Sequence, residues 1–354
     1  MAVDKMNDQD AADVLRGKNI LVTGGTGSFG HQIVRDLLPL DPACIHIYSR
    51  DEKKQYDMAM SYRHCRNLRF HIGDVRNLER TRDAMRGIDI VFNAAALKQV
   101  PSCEYAPFEA VETNIIGANN VRRAAIEAGV QTVVSVSTDK AVKPVNVMGM
   151  TKAIQERIML DPTFSSGSTR FVCVRYGNVL GSRGSVVPFF FDFIQKSLPL
   201  PITHPDMTRF QLTLKEAIHL VFVAAIKGES GDLWVQKMPA VRIPELGQAL
   251  AYGLTGRRDY PMTVIGMRPG EKMHEVLVSE EEMWRATELE KHYLIPSWAK
   301  SQGKETPENM RVSEYSSAGT HQLTQEEILT MLESDGWFGP DAKAKALHGI
   351  EIND

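Results

Sequence analysis

The stretch Asn19–Gly30, NILVTGGTGSFG, decides the fold of this chain. A short apolar run is followed by a glycine-rich turn, and apolar residues then recur at helical spacing from Ile33 to Leu38. The glycines Gly24, Gly27 and Gly30 allow a tight turn that lets backbone N–H groups approach a pyrophosphate. We therefore predict a dinucleotide site between the first strand and the first helix of the fold. The residues expected to line it are Gly24, Thr26, Gly27, Ser28, Phe29 and Gly30.

Further short apolar runs follow, at 44–48, 68–72, 88–92, 132–136 and 171–175. Segments with a helical pattern, such as 114–128, lie between them. Short buried strands that alternate with helices predict an α/β fold of the Rossmann type, with a doubly wound parallel sheet. The polar residues of interest repeatedly follow the ends of these runs, which is where open α/β sheets bind ligands.

The pattern becomes less regular after about Gly181, where turns rich in proline and glycine such as Gly266–Gly270 interrupt the chain. We expect a polar N-terminal tail (1–17), a dinucleotide-binding Rossmann domain (18–187), a substrate lobe (188–335) and a C-terminal tail (336–354). The smaller substrate lobe is expected to be partly interleaved with the sheet.

Composition excludes several classes of protein. The formal net charge of −3 argues against binding to nucleic acid, which needs clustered Lys and Arg. No apolar run approaches the ~18 residues that a membrane span requires. The four cysteines lack a CxxC spacing and the ten histidines lack a metal-binding spacing, so we expect free thiols, no metal and a reducing cytoplasm.

Ser49 and Arg50 follow the second predicted strand, about twenty residues after the glycines. An acidic residue at this strand end would hold a ribose 2′-hydroxyl, whereas Arg50 beside a hydroxyl side chain suits a 2′-phosphate better. NADP is therefore favoured over NAD, the alternative being that Arg50 is a solvated surface charge. Other residues expected to line the cofactor are Asp74, Val75, Ala94 and Ala95.

Eight segments together resemble the extended short-chain dehydrogenase/reductase superfamily. More narrowly, they are similar to the bacterial UDP-N-acetylglucosamine 4,6-dehydratases of the polysaccharide biosynthesis group. The resemblance extends from about Lys18 to at least Glu275 and implies a nucleotide-sugar substrate and a homo-oligomer, either a dimer or a hexamer. The segments are TGGTGSFG (23–30), YSRDEKKQ (48–55), GDVRN (73–77), NAAALKQVPSCE (93–104), NIIGANNV (114–121), STDKAVKPVNVMGMTK (137–152), RYGNVLGSRGSVVPFF (175–190) and RPGEKMHE (268–275).

The resemblance implies a reaction in which C4 of the sugar is first oxidised, which acidifies the proton on C5. It assigns Asp139 as the acid that protonates the departing C6 oxygen and Lys140 as the base at C5. A lysine is a base only when neutral, and desolvation or nearby positive charge, here from Lys152 and the oxidised nicotinamide, lowers its pKa. The alternative is that Asp139 and Lys140 form only an ion pair in a loop.

Met148 stands four residues before Lys152, where the superfamily usually has a catalytic tyrosine. Methionine carries no proton, although some members of the dehydratase group resemble this chain in having it. Lys152 is then expected to bind the nicotinamide ribose, and the C4 proton to leave through Thr138, Asp139, water or a ribose hydroxyl.

The resemblance also suggests residues that handle the nucleotide sugar. Lys98 follows a cofactor strand and is expected to face both the cofactor and the substrate. Arginine suits a diphosphate, and a glutamate could hold ribose hydroxyls. The further candidates are Asn178, Arg209, Arg268 and Glu271.

Two other functions stay open: a UDP-hexose 4-epimerase and a non-catalytic NADP-binding homologue. The Asp139–Lys140 pair argues against the epimerase, which needs no acid and base at C6 and C5. The sequence leaves open whether C5 is inverted and whether the nucleotide is UDP or GDP.

Overall fold

The computed structural model describes residues 8–162, 167–302 and 312–349. The chain divides into two compact units. The first comprises Met1–Tyr176, Ile218–Lys237 and Val278–Ser313, and the second comprises Gly177–Ala217, Met238–Leu277 and Glu314–Asp354. Each unit is therefore built from three separate segments of the chain.

The strands are short, as expected for an α/β fold. They are β1 (Asn19–Thr23), β2 (Cys44–Ser49), β3 (Leu68–Ile72), β4 (Ile90–Asn93), β5 (Thr132–Val136), β6 (Arg170–Arg175), β7 (Asn178–Val179), β8 (Leu200–Ile202), β9 (Thr208–Leu212), β10 (Asp232–Gln236), β11 (Ala240–Arg242), β12 (Met262–Val264), β13 (Val276–Val278), β14 (Thr287–Glu288), β15 (His292–Pro296) and β16 (Tyr315–Ser316).

The α-helices are α1 (Asp8–Leu15), α2 (Ser28–Leu37), α3 (Glu52–Ser61), α4 (Leu78–Met85), α5 (Val100–Tyr105), α6 (Pro107–Ala110), α7 (Gly117–Ala128), α8 (Val147–Met159), α9 (Val186–Gln195), α10 (Leu214–Lys227), α11 (Ile243–Thr255), α12 (Glu280–Arg285), α13 (Gln325–Ser334) and α14 (Ala342–Gly349). Short 3₁₀ turns span Leu38–Leu40, Asp139–Ala141 and Ala299–Ser301, and a π-helix spans Val111–Ile116. The predicted helix at 114–128 therefore begins as a π-helix and becomes α-helical only at Gly117.

The first unit contains a nine-stranded sheet in the order β14-β15-β10-β6-β5-β4-β1-β2-β3. The strands from β3 to β10 in this order pair in parallel, whereas the β10–β15 and β15–β14 pairs are antiparallel, so only β15 runs against the other strands of this sheet. Residues such as Ile20, Leu21 and Val22 are fully buried because helices cover both faces of a parallel sheet. The predicted Rossmann-type α/β fold is confirmed.

The order of the strands defines the place where a ligand can bind. β1 lies between β2 and β4, so the chain winds outward to β3 and then crosses β1 to continue at β4. A crevice opens at the carboxyl ends of the strands where the winding reverses. The glycine turn after β1 and the residues after β4 lie at this point.

The second unit has its own hydrophobic core, formed around α9, α11 and α13 by residues such as Phe190, Leu246 and Leu332. Trp337 is fully buried and Ala342 belongs to the same core, so the segment expected to be a C-terminal tail contributes packing here. Within this unit, β11, β9 and β7 form a three-stranded sheet.

Within the expected N-terminal tail, residues 8–15 form α1, whose Ala11 and Leu15 are buried. The first seven residues lie outside the described part of the chain.

Candidate active site

The turn between β1 and α2 is shaped by the absence of side chains. Gly24 has φ +66, and a Cβ at this position would lie 2.9 Å from the Cα of Ala95. A Cβ on Gly30 would lie 1.9 Å from the carbonyl oxygen of Gly25. Gly27 precedes α2 without a side-chain capping bond, so an anion at this helix end would meet the first-turn backbone N–H groups. The cradle fits a pyrophosphate.

The structure also positions the three other residues that were predicted at this turn. Thr26 is buried, and Ser28 and Phe29 are the first two residues of α2. After β4, the N–H groups of Ala94 and Ala95 donate to the backbone and side-chain oxygens of Thr23 at 3.3 and 3.2 Å. The loop after β4 is thereby held against the glycine turn.

Arg50 and Asp74 lie close together after β2 and β3. The Arg50 Nη1 atom is 3.6 Å from Asp74 Oδ2, and 51% of the arginine side chain is exposed. Burial opposes ionisation of Asp74, but hydrogen bonds from Arg76 and the charge of Arg50 hold the pKa of this carboxyl below its usual range. Ser49 is largely buried and its hydroxyl accepts a hydrogen bond from Gln55 at 3.0 Å.

The loop after β3 that carries Val75 is held by contacts from neighbouring elements. The Val75 carbonyl accepts a hydrogen bond from the Asn120 side chain at 2.9 Å, and the Tyr48 hydroxyl donates to the Asp74 carbonyl at 3.0 Å. A Cβ on Gly117 would lie 2.7 Å from the Val75 side chain. These contacts give the loop after β3 one defined position.

A chain of buried side-chain hydrogen bonds runs across the carboxyl ends of the strands. Thr23 donates to Asn93 at 2.7 Å, and Asn93 donates to Ser135 at 3.0 Å. Gln155 donates to Ser135 at 2.9 Å and accepts from Lys152 Nζ at 2.6 Å. Sequence reasoning assigned Thr23, Ser135 and Gln155 no role. The sequence marks them only weakly. Thr23 and Ser135 are polar residues in otherwise apolar strands, and Gln155 lies three residues after Lys152 on the same helix.

Lys152 is buried on α8, and its Nζ also donates to the Val136 carbonyl at 2.6 Å. Burial lowers the pKa of Lys152 to about 8, against the opposing charge of Glu156. Lys152 is therefore held by two hydrogen bonds and keeps its proton less firmly than an exposed lysine.

A buried ion network fixes α8 against β6. Arg175 is 2% exposed and donates to both carboxylate oxygens of Glu156, at 3.0 and 2.6 Å, and to Glu282 at 2.9 Å. Although burial acts in the other direction, the charge and hydrogen bonds of Arg175 lower the pKa of Glu282 to about 2. Glu156 lies four residues after Lys152, so this network also fixes the helix that carries the lysine.

Asp139 and Lys140 form a hydrogen-bonded pair in the 3₁₀ turn that follows β5. The Asp139 side chain is fully buried, and its Oδ1 accepts from Lys140 Nζ at 2.9 Å and from the Thr138 hydroxyl at 2.9 Å. Its Oδ2 is also buried and has no hydrogen-bond partner within the described residues. The turn is fixed by the Asp139 N–H, which donates to the Tyr176 carbonyl at 3.1 Å. The pair is thus held through one carboxylate oxygen, and the other takes no part in holding it.

Met148 is 4% exposed and belongs to a small apolar cluster with Cys103 and Ala110. Its neighbour Gly149 allows α8 to approach the turn that carries Asp139 and Lys140, because a Cβ there would lie 2.2 Å from the Lys140 carbonyl oxygen. The thioether therefore occupies a packed apolar position on the helix that carries Lys152.

The loop after β4 is clamped by Asn114, which is fully buried in the π-helix. Its side chain accepts from the Leu97 N–H at 2.8 Å and donates to the Leu97 carbonyl at 3.0 Å and to Thr151 at 2.9 Å. Lys98, which follows Leu97 in the chain, is exposed. Sequence reasoning missed Asn114, although π-helical turns are often found at functional sites.

The remaining predicted substrate residues belong to the second unit. Asn178 begins β7 and Arg209 lies on β9, where its Nη1 donates to the carbonyls of Thr208 and Met273 at 2.7 and 3.2 Å. Arg268 and Glu271 bind each other, with 3.1 Å between Arg268 Nε and Glu271 Oε1.

The described residues contain neither a candidate membrane span nor a candidate metal site. No helix there is long and apolar enough to cross a membrane. The same residues contain no cluster of His, Cys, Asp or Glu side chains that could hold a metal ion.

A Rossmann-type sheet, a glycine turn after β1 that fits a dinucleotide and a buried lysine on the helix after β5 define the class as a Rossmann-fold protein with a dinucleotide site. Residues 20–297 match the model of the polysaccharide biosynthesis protein family, and the chain belongs to this family.

Similar proteins have several names. A UDP-glucose 4-epimerase of Rickettsia felis is 43% identical over 327 residues, which cover 89% of this chain and 95% of that protein. An uncharacterized membrane protein of Methanocaldococcus jannaschii is 40% identical over 332 residues, covering 92% and 98%. Among solved structures, Pen from Bacillus thuringiensis has a TM-score of 0.84 at 36% identity and covers 90% of this chain and 98% of its own. The dTDP-glucose 4,6-dehydratase of Streptomyces venezuelae shares the fold, with a TM-score of 0.67, 19% identity and coverage of 91% and 99%.

Proposed function

We propose that this protein is an NADP-dependent nucleotide-sugar 4,6-dehydratase that converts UDP-N-acetylglucosamine to a UDP-4-keto-6-deoxy sugar, with C5 either retained or inverted. The observation that carries the proposal is the Asp139–Lys140 pair, joined by a 2.9 Å hydrogen bond in the turn after β5. An acid and a base side by side are what an elimination across C5 and C6 requires.

The residues of the glycine turn would hold the cofactor pyrophosphate, and Lys152 would hold the nicotinamide ribose. When bound, NADP⁺ would take up a hydride from C4 of the sugar and give it back at C6. The turn around Gly24 and Gly30 supports a dinucleotide, since both glycines lie too close to neighbouring backbone to carry a Cβ and no side chain caps the N-terminus of α2. Arg50, half exposed beside Asp74, is the side chain that supports NADP over NAD.

The hydrogen bond between Asp139 and Lys140 lets the pair exchange one proton internally. With the proton on the carboxyl group, Lys140 is neutral and can remove the C5 proton, while Asp139 can protonate the departing C6 oxygen. After both transfers the lysine is charged and the aspartate ionised. When the hydride returns to C6, Lys140 gives its proton to C5, and the proton that the C4 hydroxyl released then recharges the pair. The elimination therefore needs no proton from solvent.

Asp139 Oδ2 supports this role. It is a buried carboxylate oxygen without a hydrogen-bond partner in the described part of the chain. A polar atom left unpaired in the interior is costly, so a ligand hydroxyl that fills the position is favoured. We assign this oxygen to the C6 hydroxyl of the sugar.

The C4 proton needs a route that does not use Met148. Thr138 donates to the same oxygen of Asp139 that Lys140 contacts, which supports a relay from the sugar through this hydroxyl. Tyr176 is not a substitute base, because burial raises the pKa of its phenol and keeps it protonated at neutral pH.

In the second unit, we propose that Asn178 and Arg209 contact the nucleotide sugar. Arg268 and Glu271 would have to exchange their mutual ion pair for contacts with the diphosphate and ribose. Lys98 is exposed after β4 and is proposed to face the ligands as well. As the family resemblance implies, the enzyme is expected to be a cytoplasmic homo-oligomer.

A 4-epimerase is the second candidate, because the Rickettsia relatives carry that name at 43% identity. An epimerase returns the hydride to C4 and has no use for an acid at C6. The buried Asp139–Lys140 pair is therefore unexplained in an epimerase. A non-catalytic homologue would explain Met148 but would leave the same pair without a role.

The test is to incubate the purified protein with UDP-N-acetylglucosamine and NADP⁺ in D₂O and to follow the products by NMR. A dehydratase gives a new C6 methyl signal and deuterium at C5, and the ring couplings of the product report C5 inversion. Formation of the C4 epimer without deuterium at C5 would establish the epimerase instead. Unchanged sugar would support the non-catalytic homologue.

A further inference from the structure

Two side-chain amides in the second unit have buried atoms without hydrogen-bond partners. Gln211 is 2% exposed, and its Nε2 has no hydrogen-bond partner in the described residues. Asn178 Oδ1 is buried and equally unpaired within those residues. One of these atoms is a donor and the other is an acceptor.

The two amides lie at paired positions of neighbouring strands. β7 and β9 run parallel, with Asn178 opposite Gln211 in the register. Paired residues extend their side chains from the same face of a sheet, and so do residues two apart on one strand. Arg209 therefore shares the face with both amides.

The backbone around the pair is already satisfied. The Gln211 N–H donates to the Pro239 carbonyl at 3.0 Å, and the Leu180 N–H donates to the Leu212 carbonyl at 2.8 Å. The strands are thus fixed by their own hydrogen bonds, and the unpaired atoms belong to the side chains alone. Interiors pair nearly all buried polar atoms, so two exceptions at paired positions suggest that a ligand completes them.

We propose that Gln211 and Asn178 form a subsite for the acetamido group of an N-acetylated sugar nucleotide, and that Gln211 determines specificity for it. A secondary amide offers the complementary pair of atoms, since its carbonyl accepts from Gln211 Nε2 and its N–H donates to Asn178 Oδ1. This inference rests on the proposed function, because it names the sugar class of that same site.

The chemistry of the substrate agrees with the position of Arg209. In a UDP-hexosamine the acetamido group is on C2, which is bonded to the carbon that carries the diphosphate. A forked guanidinium suits a diphosphate, and the side chain of Arg209 leaves the same face of the sheet as the two amides. A glucose nucleotide would place only a hydroxyl at this subsite.

The experiment is calorimetric titration of the full-length protein saturated with NADPH, a state in which C4 oxidation cannot begin. UDP-N-acetylglucosamine, UDP-glucose and UDP are titrated into the wild type and into Gln211→Met, which keeps the length of the side chain and removes its hydrogen bonds. We expect the wild type to prefer the acetylated sugar. Gln211→Met should weaken UDP-N-acetylglucosamine about tenfold and UDP-glucose less than about twofold.

Gln248→Met is the matched control, because the amide of this glutamine of the same unit is already paired. Its Nε2 donates to the Tyr260 carbonyl at 2.9 Å, and its Oε1 accepts from the Tyr260 N–H at 3.0 Å. This substitution can lower the thermal stability but should leave the preference between the two sugars unchanged. If the fold of Gln211→Met is lost, Gln211→Leu replaces it. Leucine also lacks a donor and adds no charge beside the diphosphate, so the same selective loss is expected.

Equal weakening of all three ligands would overturn the subsite in favour of a contact with uracil or diphosphate. Unchanged affinities would overturn it as well. A wild type that prefers the acetylated sugar but forms no dehydrated product would sink the proposed reaction and leave this subsite standing. Dehydration by a wild type that binds both sugars equally would support the proposed reaction and overturn this subsite.

Discussion

The glycine turn after β1 and the Asp139 turn after β5 both lie at the carboxyl ends of strands in one sheet, yet they are built by opposite means. The first depends on missing side chains, since a Cβ on Gly30 would lie 1.9 Å from the Gly25 carbonyl oxygen. The second depends on side chains that are present, with a fully buried carboxylate paired to a lysine. In the proposed function, backbone shape thus serves cofactor binding and buried charge serves the reaction.

This difference predicts that the two functions can be broken separately. A larger residue in the glycine turn should damage the fold and every step that follows. A neutral residue in the Asp139 turn should leave the fold and the cofactor in place and stop only the proton transfers.

Gly30→Ala should abolish NADP binding and most of the soluble folded protein. The new methyl group would meet backbone atoms of Gly25, which cannot rotate away as a flexible side chain could, so α2 must move off the turn. Soluble yield and thermal unfolding with and without NADP measure the effect. Gly27→Ala is the control for folding, because its Cβ would lie 3.4 Å from the nearest atom. Wild-type cofactor affinity in Gly30→Ala would disprove the steric argument.

Lys140→Ala should lower the rate of dehydration by about 10²–10⁴-fold while leaving C4 oxidation possible. The oxidised sugar then accumulates with the reduced cofactor, which is seen as NADPH absorbance when the sugar nucleotide is added. Asp139→Asn should slow loss of the C6 hydroxyl similarly. The matched control is Lys143→Ala, since this exposed lysine of the same loop pairs with Glu280 at 2.7 Å. Near-normal dehydration by both active-site variants would show that the pair is structural.

The same contrast explains how much the sequence could predict. The glycine turn and the Asp139–Lys140 pair were predictable because each is a local pattern at the end of an apolar run. Arg175 was recognised only as a strand end, because its partner Glu282 is 107 residues away. Periodicity shows which face of an element is buried but not which element covers it.

The hydrogen-bond chain through Asn93, Ser135 and Gln155 was missed for the same reason. It depends on the register of β4 against β5, where Asn93 lies opposite Ser135, and on the packing of α8 over them. The unpaired Gln211 amide is invisible in the sequence, since a single glutamine in a strand carries no pattern.

Lys152→Met tests whether buried charge is costly in the first unit. Burial lowers the pKa of Lys152 from 10.5 to about 8, so the folded state holds its proton less tightly than the unfolded chain. Burying the charged lysine destabilises the folded wild type. This destabilisation is fully present below about pH 8 and disappears as the pH rises towards 10.5. The stability of the variant relative to the wild type should therefore fall by up to ~3 kcal/mol over this range. Urea unfolding of both cofactor-free proteins at several pH values measures it, and a constant difference would contradict a lowered pKa.

Arg50→Ala should reduce the preference for NADP over NAD by about tenfold. The effect is modest because the side chain is half exposed and already shares its charge with Asp74 at 3.6 Å. Fluorescence titrations with both cofactors measure it, and added salt should diminish the preference in the wild type. Lys53→Ala is the control, as Lys53 is a nearby exposed cation paired with Asp57. Equal affinity of the wild type for both cofactors would remove Arg50 from the site.

Met148→Tyr should change the dehydration rate least, by less than about threefold in either direction. Methionine is packed against Cys103 and Ala110 in an apolar cluster, so a phenol introduced there must bury its hydroxyl without an evident partner or displace the cluster. If the C4 proton already leaves through Thr138, whose hydroxyl contacts Asp139 at 2.9 Å, a new phenol duplicates an existing route. Thr138→Val is the companion variant and should slow C4 oxidation, measured as the rate of NADPH formation in the Lys140→Ala background. Two results together would contradict this relay: a hundredfold gain from Met148→Tyr and an unchanged rate of C4 oxidation in Thr138→Val. They would mean that methionine replaced a working base at position 148 and that Thr138 does not carry the C4 proton.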